Sequence, residues 1–500
     1  MSVLLALVVA VPLLGAVLPL LVGRRSRASR LLTGGVLFVQ FGLAVAVTAA
    51  VSRHGRLSYV VGALPSEVGI GLAADAVTSV FLLLVAGSAV AFFVAVRTEH
   101  TAYGDSLWLL LVAGLSGVTV TADVFNLYVF LEISGLAAYA LVATGRGASA
   151  ALAAFRYLLV GTAGATLYLL GVGYLYVATG TLSMAGLSTA LPAIGYDSTL
   201  VVASFALVAV GLGVKIALFP LHTWKPAAYA TSPADVSALL ATLVSTIAGY
   251  GLVRLTFEVY TFGFLTDVPA ARVALLVAGA VSVVAGGILT LRQTDVRRLL
   301  AYSSVLQFGL VVVAIGLATP AAVTGALVLL VSHAVSKGGL FAAFGLLASD
   351  FDLKTVADYA GFVRDAPLFT VAASVVFASL VGLPPTAGFA GKWYVALGAV
   401  AAESWTIAAL VVGSTLLSLL YVGRVVETMV FDSSTTDASD RVGGESTVQS
   451  HVRADGGRLH SGSLTRASFV LAVAGVVVVA LGLWSSDLAA WFHPVVEGWL

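Results

Sequence analysis

Five residues in this chain have the side chains needed to move a proton through an apolar medium: Glu132, Lys215, His333, Lys337 and Lys392. Glu132 lies near the middle of D-V-F-N-L-Y-V-F-L-E-I-S-G-L-A-A-Y-A-L-V-A, Asp123 to Ala143, a run apolar and long enough to cross a bilayer. A carboxylate at that depth costs about 2.5 kcal/mol or more on insertion scales, and such a residue usually has a partner inside the protein or along a water path. The chain has five Lys against twenty Arg, yet Lys215, Lys337 and Lys392 take the deep positions. A buried lysine can give up its proton, whereas arginine stays charged. A membrane site that must gain and lose a proton needs the first kind. Snorkelling toward the interface is the competing reading, and it would have to hold three times over.

Histidine adds a second carrier. In L-V-S-H-A-V-S-K-G-G-L-F, His333 and Lys337 are four apart, so one helix face presents both. Imidazole titrates near neutrality and can relay a proton; a structural histidine bonded to a carbonyl would look the same. His222 carries the same ambiguity close to the expected cytoplasmic surface.

The elements that position these groups are membrane helices. The 500 residues are 60% hydrophobic and 10% charged, with mean hydropathy +1.06, which excludes a soluble domain. A net charge of +1 argues against a nucleic-acid partner. With no Cys there is no disulfide framework, thiolate metal site or Fe–S cluster, and the seven His show no metal-ligand spacing. No G-x-x-x-x-G-K-[ST] loop occurs, so no nucleotide site and no cofactor are expected. The first apolar run, Ser2 to Gly23, has no basic stretch before it and reads as a mature helix.

About fourteen membrane segments follow from the apolar runs, an all-α polytopic membrane protein. They divide into N-terminal helices 1–3 (1–105), a first five-helix unit (106–256), a second (271–430), a polar loop (431–466) expected to be disordered, and a last helix with an interfacial tail (467–500). Residues 185–198, with Pro192 and Gly195, read as a surface connection. With the N-terminus outside, eighteen basic residues fall in inner loops, Lys225 among them. Only Arg53, Arg56, Arg254 and Arg272 fall in outer ones. Positive residues collect on the cytoplasmic side, so both termini are expected outside a prokaryotic plasma membrane.

Two segments should be interrupted. G-L-G-V-K-I-A-L-F-P-L-H-T-W-K-P places Pro220 and Pro226 after Lys215, and V-G-L-P-P-T-A-G-F-A-G-K-W places Pro384 and Pro385 before Lys392. Proline removes a backbone donor and clashes one turn back. Broken backbone at membrane depth is tolerated where it is buried in protein or lines a cavity. Two broken helices in corresponding halves, each beside a lysine, are the sign of two inverted repeats.

The strings F-N-L-Y-V-F-L-E-I-S, V-K-I-A-L-F-P-L-H-T-W, S-P-A-D-V-S-A-L-L-A, R-R-L-L-A-Y-S-S-V-L-Q-F-G and G-L-P-P-T-A-G-F-A-G-K resemble the antiporter-like subunits shared by Mrp-type cation/proton antiporters and respiratory complex I. The resemblance runs from about Leu107 to Phe431. It implies that Glu132 and Lys215 are the paired charges of a first half-channel. It places His333 and Lys337 in a central hydrophilic axis and makes Lys392 the terminal lysine. His222, Thr246, Ser303, Ser304 and Gln307 are accessory. A lysine at 392 and a length near 500 resemble the D-type subunit of the antiporters; one complex I member shares the lysine. Two departures stand out. Thr246 occupies a position where many relatives have lysine, and W-K-P-A-A-Y (Trp224 to Tyr229) replaces the usual W-L-P-D-A-H. Either waters bridge the resulting gap between Lys215 and the axis, or internal proton transfer is weaker than in the relatives.

The expected function is proton translocation within a multisubunit Na+/proton antiporter, as its D-type subunit. The expected partners are other hydrophobic subunits, protons, Na+ and membrane lipid. The alternatives are a non-redox, proton-pumping membrane subunit of an NADH-quinone oxidoreductase or membrane hydrogenase, and a standalone solute transporter. In each the chain itself is no redox enzyme.

Overall fold

The structure, a computed structural model, describes residues 2–22, 26–63, 70–96, 101–431 and 462–500. Most of the expected polar loop 431–466 lies outside the described residues, as do Arg24, Arg25 and Arg97. In hydrocarbon every backbone polar group must be bonded within the protein, and helices do this within one segment. The chain accordingly folds into α1 (Val3–Leu21) and α2 (Arg27–His54), a hairpin of β1 (Leu57–Val60) and β2 (Gly71–Ala74), and α3 (Ala76–Ala95). Next come α4 (Ala102–Val120), α5 (Val124–Ala143), α6 (Ala148–Thr179), α7 (Met184–Ile194), the interrupted pair α8 (Thr199–Ile216) and α9 (Trp224–Thr231), and α10 (Ala234–Asp267). Then α11 (Pro269–Leu291), α12 (Val296–Leu317), α13 (Pro320–Phe351), the interrupted pair α14 (Pro367–Val381) and α15 (Ala387–Ala401), and α16 (Trp405–Val430) follow. The chain closes with α17 (Gly462–Leu483) and α18 (Ser485–Trp499).

Thirteen of these helices are long and apolar enough to cross a membrane, and α14 with α15 makes the fourteenth crossing in two pieces. Side chains of Asp75, Thr101, Asp123, Asp295 and Thr319 accept the third backbone N–H of the helix each precedes, which fixes five of the helix starts. The fold is a polytopic helical bundle with two inverted five-helix repeats, α4 to α10 and α11 to α16. Five crossings put the start of the second group on the opposite face from the first, and in each group the fourth crossing is the broken one.

Small residues let the two groups pack alike. A Cβ on Gly114 would lie 2.6 Å from the Ser134 nitrogen and one on Gly279 2.7 Å from the Gly309 oxygen, so the first two helices of each group touch at backbone. The third and broken helices do the same. A Cβ on Gly211 would meet the Gly164 oxygen at 2.6 Å, and one on Gly325 the Gly391 oxygen at 2.9 Å.

Three helices are shielded from lipid. The hydrophobic window of α10 is wholly buried and those of α12 and α13 are 94% buried, against 33% for α16. These three carry Thr246, Ser303, Ser304, Gln307, His333 and Lys337, so the polar side chains lie on the centre of the bundle.

Several expectations change. The hairpin adds two short antiparallel strands, Leu57 opposite Ala74 and Val60 opposite Gly71, to an otherwise helical chain. Within the expected surface connection, residues 184–194 form helix α7, capped by the Ser183 side chain. Arg254 is not in an outer loop. The helix continues past it through a π-helical turn, Leu255–Tyr260, so Arg254 is buried in α10 and ion-paired with Asp75 and, at 2.5 Å, with Glu258. Trp491 of α18 donates its indole N–H to the Ala76 carbonyl at 3.0 Å, and Trp499 stacks on Phe257. The tail therefore packs on the bundle.

Candidate functional site

Lys215, on the last turn of α8, donates its ammonium to Glu132 Oε1 at 2.8 Å and to the Tyr139 hydroxyl at 3.1 Å. Both partners sit on α5, seven residues apart, so one helix face supplies the pair. Lys215 is 5% exposed. Gly135 makes the approach possible, because a Cβ there would lie 3.2 Å from Lys215 Nζ. Pairing the two charges offsets part of the cost of burying them, and removing either one leaves the other uncompensated.

The helix breaks leave the last carbonyls short of backbone donors, and side chains supply further ones. At the first break, Trp224 Nε1 donates to the Val214 carbonyl at 3.0 Å and Ser245 Oγ to the Lys215 carbonyl at 3.1 Å. Lys225 Nζ donates to the Ile216 carbonyl at 3.4 Å. At the second break, Gln307 Nε2 donates to the Leu380 carbonyl and Lys392 Nζ to the Val381 carbonyl, both at 2.9 Å. Lys392 also reaches the Thr415 hydroxyl at 3.3 Å. Its stem crosses Gly382, whose φ of +86° and missing Cβ leave that room.

This arrangement corrects two readings. Lys225 is not an inner-loop residue: it is 0% exposed. The chain turns back into the protein after Pro220, and Lys225 stands in the first turn of α9. The lysines nearest the two breaks also do not correspond as Lys215 and Lys392. Lys215 precedes its break, whereas Lys392 follows its own. By position and hydrogen bond, the counterpart of Lys392 is Lys225, since each donates to the last residue of the half-helix before it. The sequence signal was present as a third deep lysine beside a proline break, but Trp-Lys-Pro reads as a turn.

On the shielded helices, Lys337 donates to the Leu300 carbonyl at 2.8 Å and to Ser303 Oγ. Ser303 and Ser304 bond back to the Leu300 carbonyl at 3.0 and 3.1 Å. His333 is 5% exposed with both ring nitrogens unpaired, and its ring meets Phe308 at 4.7 Å between centroids. Thr246 Oγ1 and His222 Nδ1 are likewise buried without a protein partner. His222 packs between Phe219 and Tyr302 and is 6% exposed, so it is an interior residue and not a surface one. The structure thus joins Glu132 directly to Lys215. It sets His333 and Lys337 on one buried face and holds Lys392 apart at the second break. Among the described residues no group of three acidic or histidine side chains could hold a metal ion.

A buried Lys–Glu pair, further buried lysines without a carboxylate among the described residues and a histidine with both ring nitrogens unpaired suit the movement of protons between fixed stations. The sequence profile of the family described as NADH:quinone oxidoreductase/Mrp antiporter, TM, matches residues 121–418. The chain is 40% identical over 398 residues to NADH-quinone oxidoreductase subunit N of Desulforudis audaxviator (strain MP104C), covering 77% of each. It is 29% identical over 421 residues to the D-type subunit of the Na(+)/H(+) antiporter of Bacillus subtilis (strain 168), covering 83% of this chain and 84% of that one. A chain in the structure of the Mrp complex from Dietzia sp. DQ12-45-1b is similar over 100% of this chain and 97% of its own, with 25% identity and a TM-score of 0.86. With more than half its length inside the family profile, the chain belongs to the NADH:quinone oxidoreductase/Mrp antiporter transmembrane family.

Proposed function

We propose that this chain carries protons across a prokaryotic plasma membrane as the D-type subunit of a multisubunit cation/proton antiporter. The observation that carries the reading is the Lys215–Glu132 ion pair at 2.8 Å inside the bundle, followed by buried Lys337 and Lys392, neither of which meets a carboxylate among the described residues. Glu132 favours the protonated form of Lys215. When a proton or cation alters that pairing, the lysine releases its proton toward Lys337 and His333, and Lys392 passes it on. The units 106–256 and 271–430 act as the two half-channels, and Na+ moves in the opposite direction. His222, Thr246, Ser303, Ser304 and Gln307 line the route. The match to the D-type antiporter subunit over 83% of this chain, and to a chain of an Mrp complex over 100% of it, supports the antiporter assignment. Other hydrophobic subunits complete the complex, and both termini face outward.

A second reading is a proton-pumping membrane subunit of an NADH-quinone oxidoreductase, favoured by the 40% identity to a subunit N. Purification of the native complex separates the two. Small hydrophobic subunits, with proton exchange triggered by added Na+ in vesicles, support the antiporter. Co-purifying Fe–S or quinone-binding subunits, without Na+-triggered exchange, would overturn it in favour of the second reading.

A further inference from the structure

Lys225 has no place in the pathway set out above, yet its burial is complete. Its ammonium lies over aromatic faces, 4.6 Å from the Phe308 centroid, 5.6 Å from that of Tyr229 and 5.9 Å from that of Trp224. No carboxylate pairs with it among the described residues. Cation–π contacts offset part of its burial, but taking an ion from water into such surroundings without a counter-charge is more costly than they return.

A structural cap does not explain the residue. The Ile216 carbonyl needs one donor, and neutral side chains do the same task for its neighbours Lys215 (Ser245) and Val214 (Trp224) and, at the second break, for Leu380 (Gln307). A charge is superfluous for capping. What a lysine adds over glutamine is a proton it can release.

Its surroundings connect the two ends of the route. Trp224, its chain neighbour, stacks on Tyr157 at 4.0 Å, and Tyr157 meets Tyr139 at 4.5 Å, whose hydroxyl holds the Lys215 ammonium. On the other side, the Phe308 ring that lies under Lys225 also packs against His333. His222 at the first break and His333 and Lys337 on α13 lie close enough to Lys225 to interact with it electrostatically, and the Tyr229 ring faces it from its own helix. The unpaired Thr246 hydroxyl lies one turn from Gly249, which packs on Phe308.

We propose that Lys225 is a proton-carrying residue, the first repeat's counterpart of Lys392, which takes a proton from Lys215 and gives it to the His333–Lys337 face. This rests on the proton-translocating function proposed above. The Lys215 ammonium loses a proton and becomes an amine, and the neutral Lys225 amine gains it. Lys225 then returns to the amine as His333 or Lys337 is protonated, and no other reactant is consumed.

The test uses the complete complex in vesicles with a pH-sensitive dye, with the wild type and Lys215→Ala as references. Lys225→Gln keeps a donor for Ile216 and cannot carry a proton, so exchange should fall at least tenfold while the subunits still co-elute. Lys225→His should recover part of the exchange with its pH profile moved to lower pH, because imidazole titrates near 6.5. A merely structural role would not produce that shift. Lys225→Gln exchanging at the wild-type rate overturns the proposal. If Lys225→Gln does not assemble, Lys225→Arg decides. It keeps charge and donors, so a tenfold loss supports a proton carrier and a wild-type rate overturns it. A wild type that shows no cation-driven exchange refutes the antiporter reading instead. The same variants are then compared for proton uptake driven by electron donor and quinone, and the same inequality decides Lys225.

Discussion

At the residue scale, the Lys215–Glu132 pair makes the sharpest demand. Lys215→Ala leaves Glu132 without its counter-charge, and losing one partner of a buried pair costs about 3–5 kcal/mol. The least costly response is for Glu132 to bind a proton and keep it. Exchange in vesicles, followed by dye quenching after a Na+ pulse, should therefore disappear. Lys215→Arg should also fail or nearly fail, since arginine restores the charge without releasing a proton. If Lys215→Arg exchanges as fast as the wild type, Lys215 is a fixed counter-charge. Such residues are legible in sequence because a carboxylate or lysine inside a long apolar run has no benign position. Lys225 escaped that logic. It follows a proline break, and a chain that stops being helical usually stops being in the membrane; here it turns back into the protein. Trp224 is what hides this, since its aromatic body is equally at home at an interface and against Tyr157. Lys225, within the departing stretch Trp224 to Tyr229, lies over the Phe308 ring, which also packs beside Gly249, one turn from Thr246, the other departure, and neither sequence position advertises the other.

At the scale of elements, glycine contacts fix how close the helices come and hence where the charges lie. Gly211 on α8 meets Gly164 and Tyr168 backbone on α6, and a methyl at 211 would lie only 2.6 Å from the Gly164 oxygen. Gly211→Ala must therefore spread α6 from α8 one turn before Lys215. Overpacking of this kind costs about 1–3 kcal/mol, so the melting temperature of the purified complex should fall and exchange with it. Gly173→Ala, on the same helix α6 but facing open space, should leave both unchanged. Equal behaviour of the two variants would mean that this contact is soft. The fourteen crossings, the tight α4–α5 turn and both breaks follow from apolar length and proline placement, so they can be read directly from the sequence. The hairpin cannot. Its strands are four residues each, and they hold together because Leu72 also bridges to Thr121 at the end of α4, a contact made across the fold. Arg254 was missed for a related reason: its counter-charge Asp75 is 179 residues away, so the sequence shows a cation near a helix end and not the pair that buries it.

The whole molecule has two distinguishable faces. The hairpin, α7 and α18 gather on one. The bridge between Asp295 and Thr355 and the bond from Ser463 to Asp350 lie on the other, with Lys354 and Arg364 nearby. Which face meets the cytoplasm is set by charge, since translocating basic residues is disfavoured and Lys and Arg therefore stay inside. The bias survives the two corrections, because moving Lys225 from the inner tally and Arg254 from the outer one subtracts one from each side. It predicts that the hairpin face is external. The chain contains no cysteine, so a single introduced thiol is a unique label. Ser52, at the end of α2 beside the hairpin, and Asp365, in the connection before α14, are both exposed. In intact cells a membrane-impermeant maleimide should label Ser52→Cys at once, and Asp365→Cys only after permeabilisation. The reverse pattern would put the hairpin in the cytoplasm and invert the direction of every proton step proposed here.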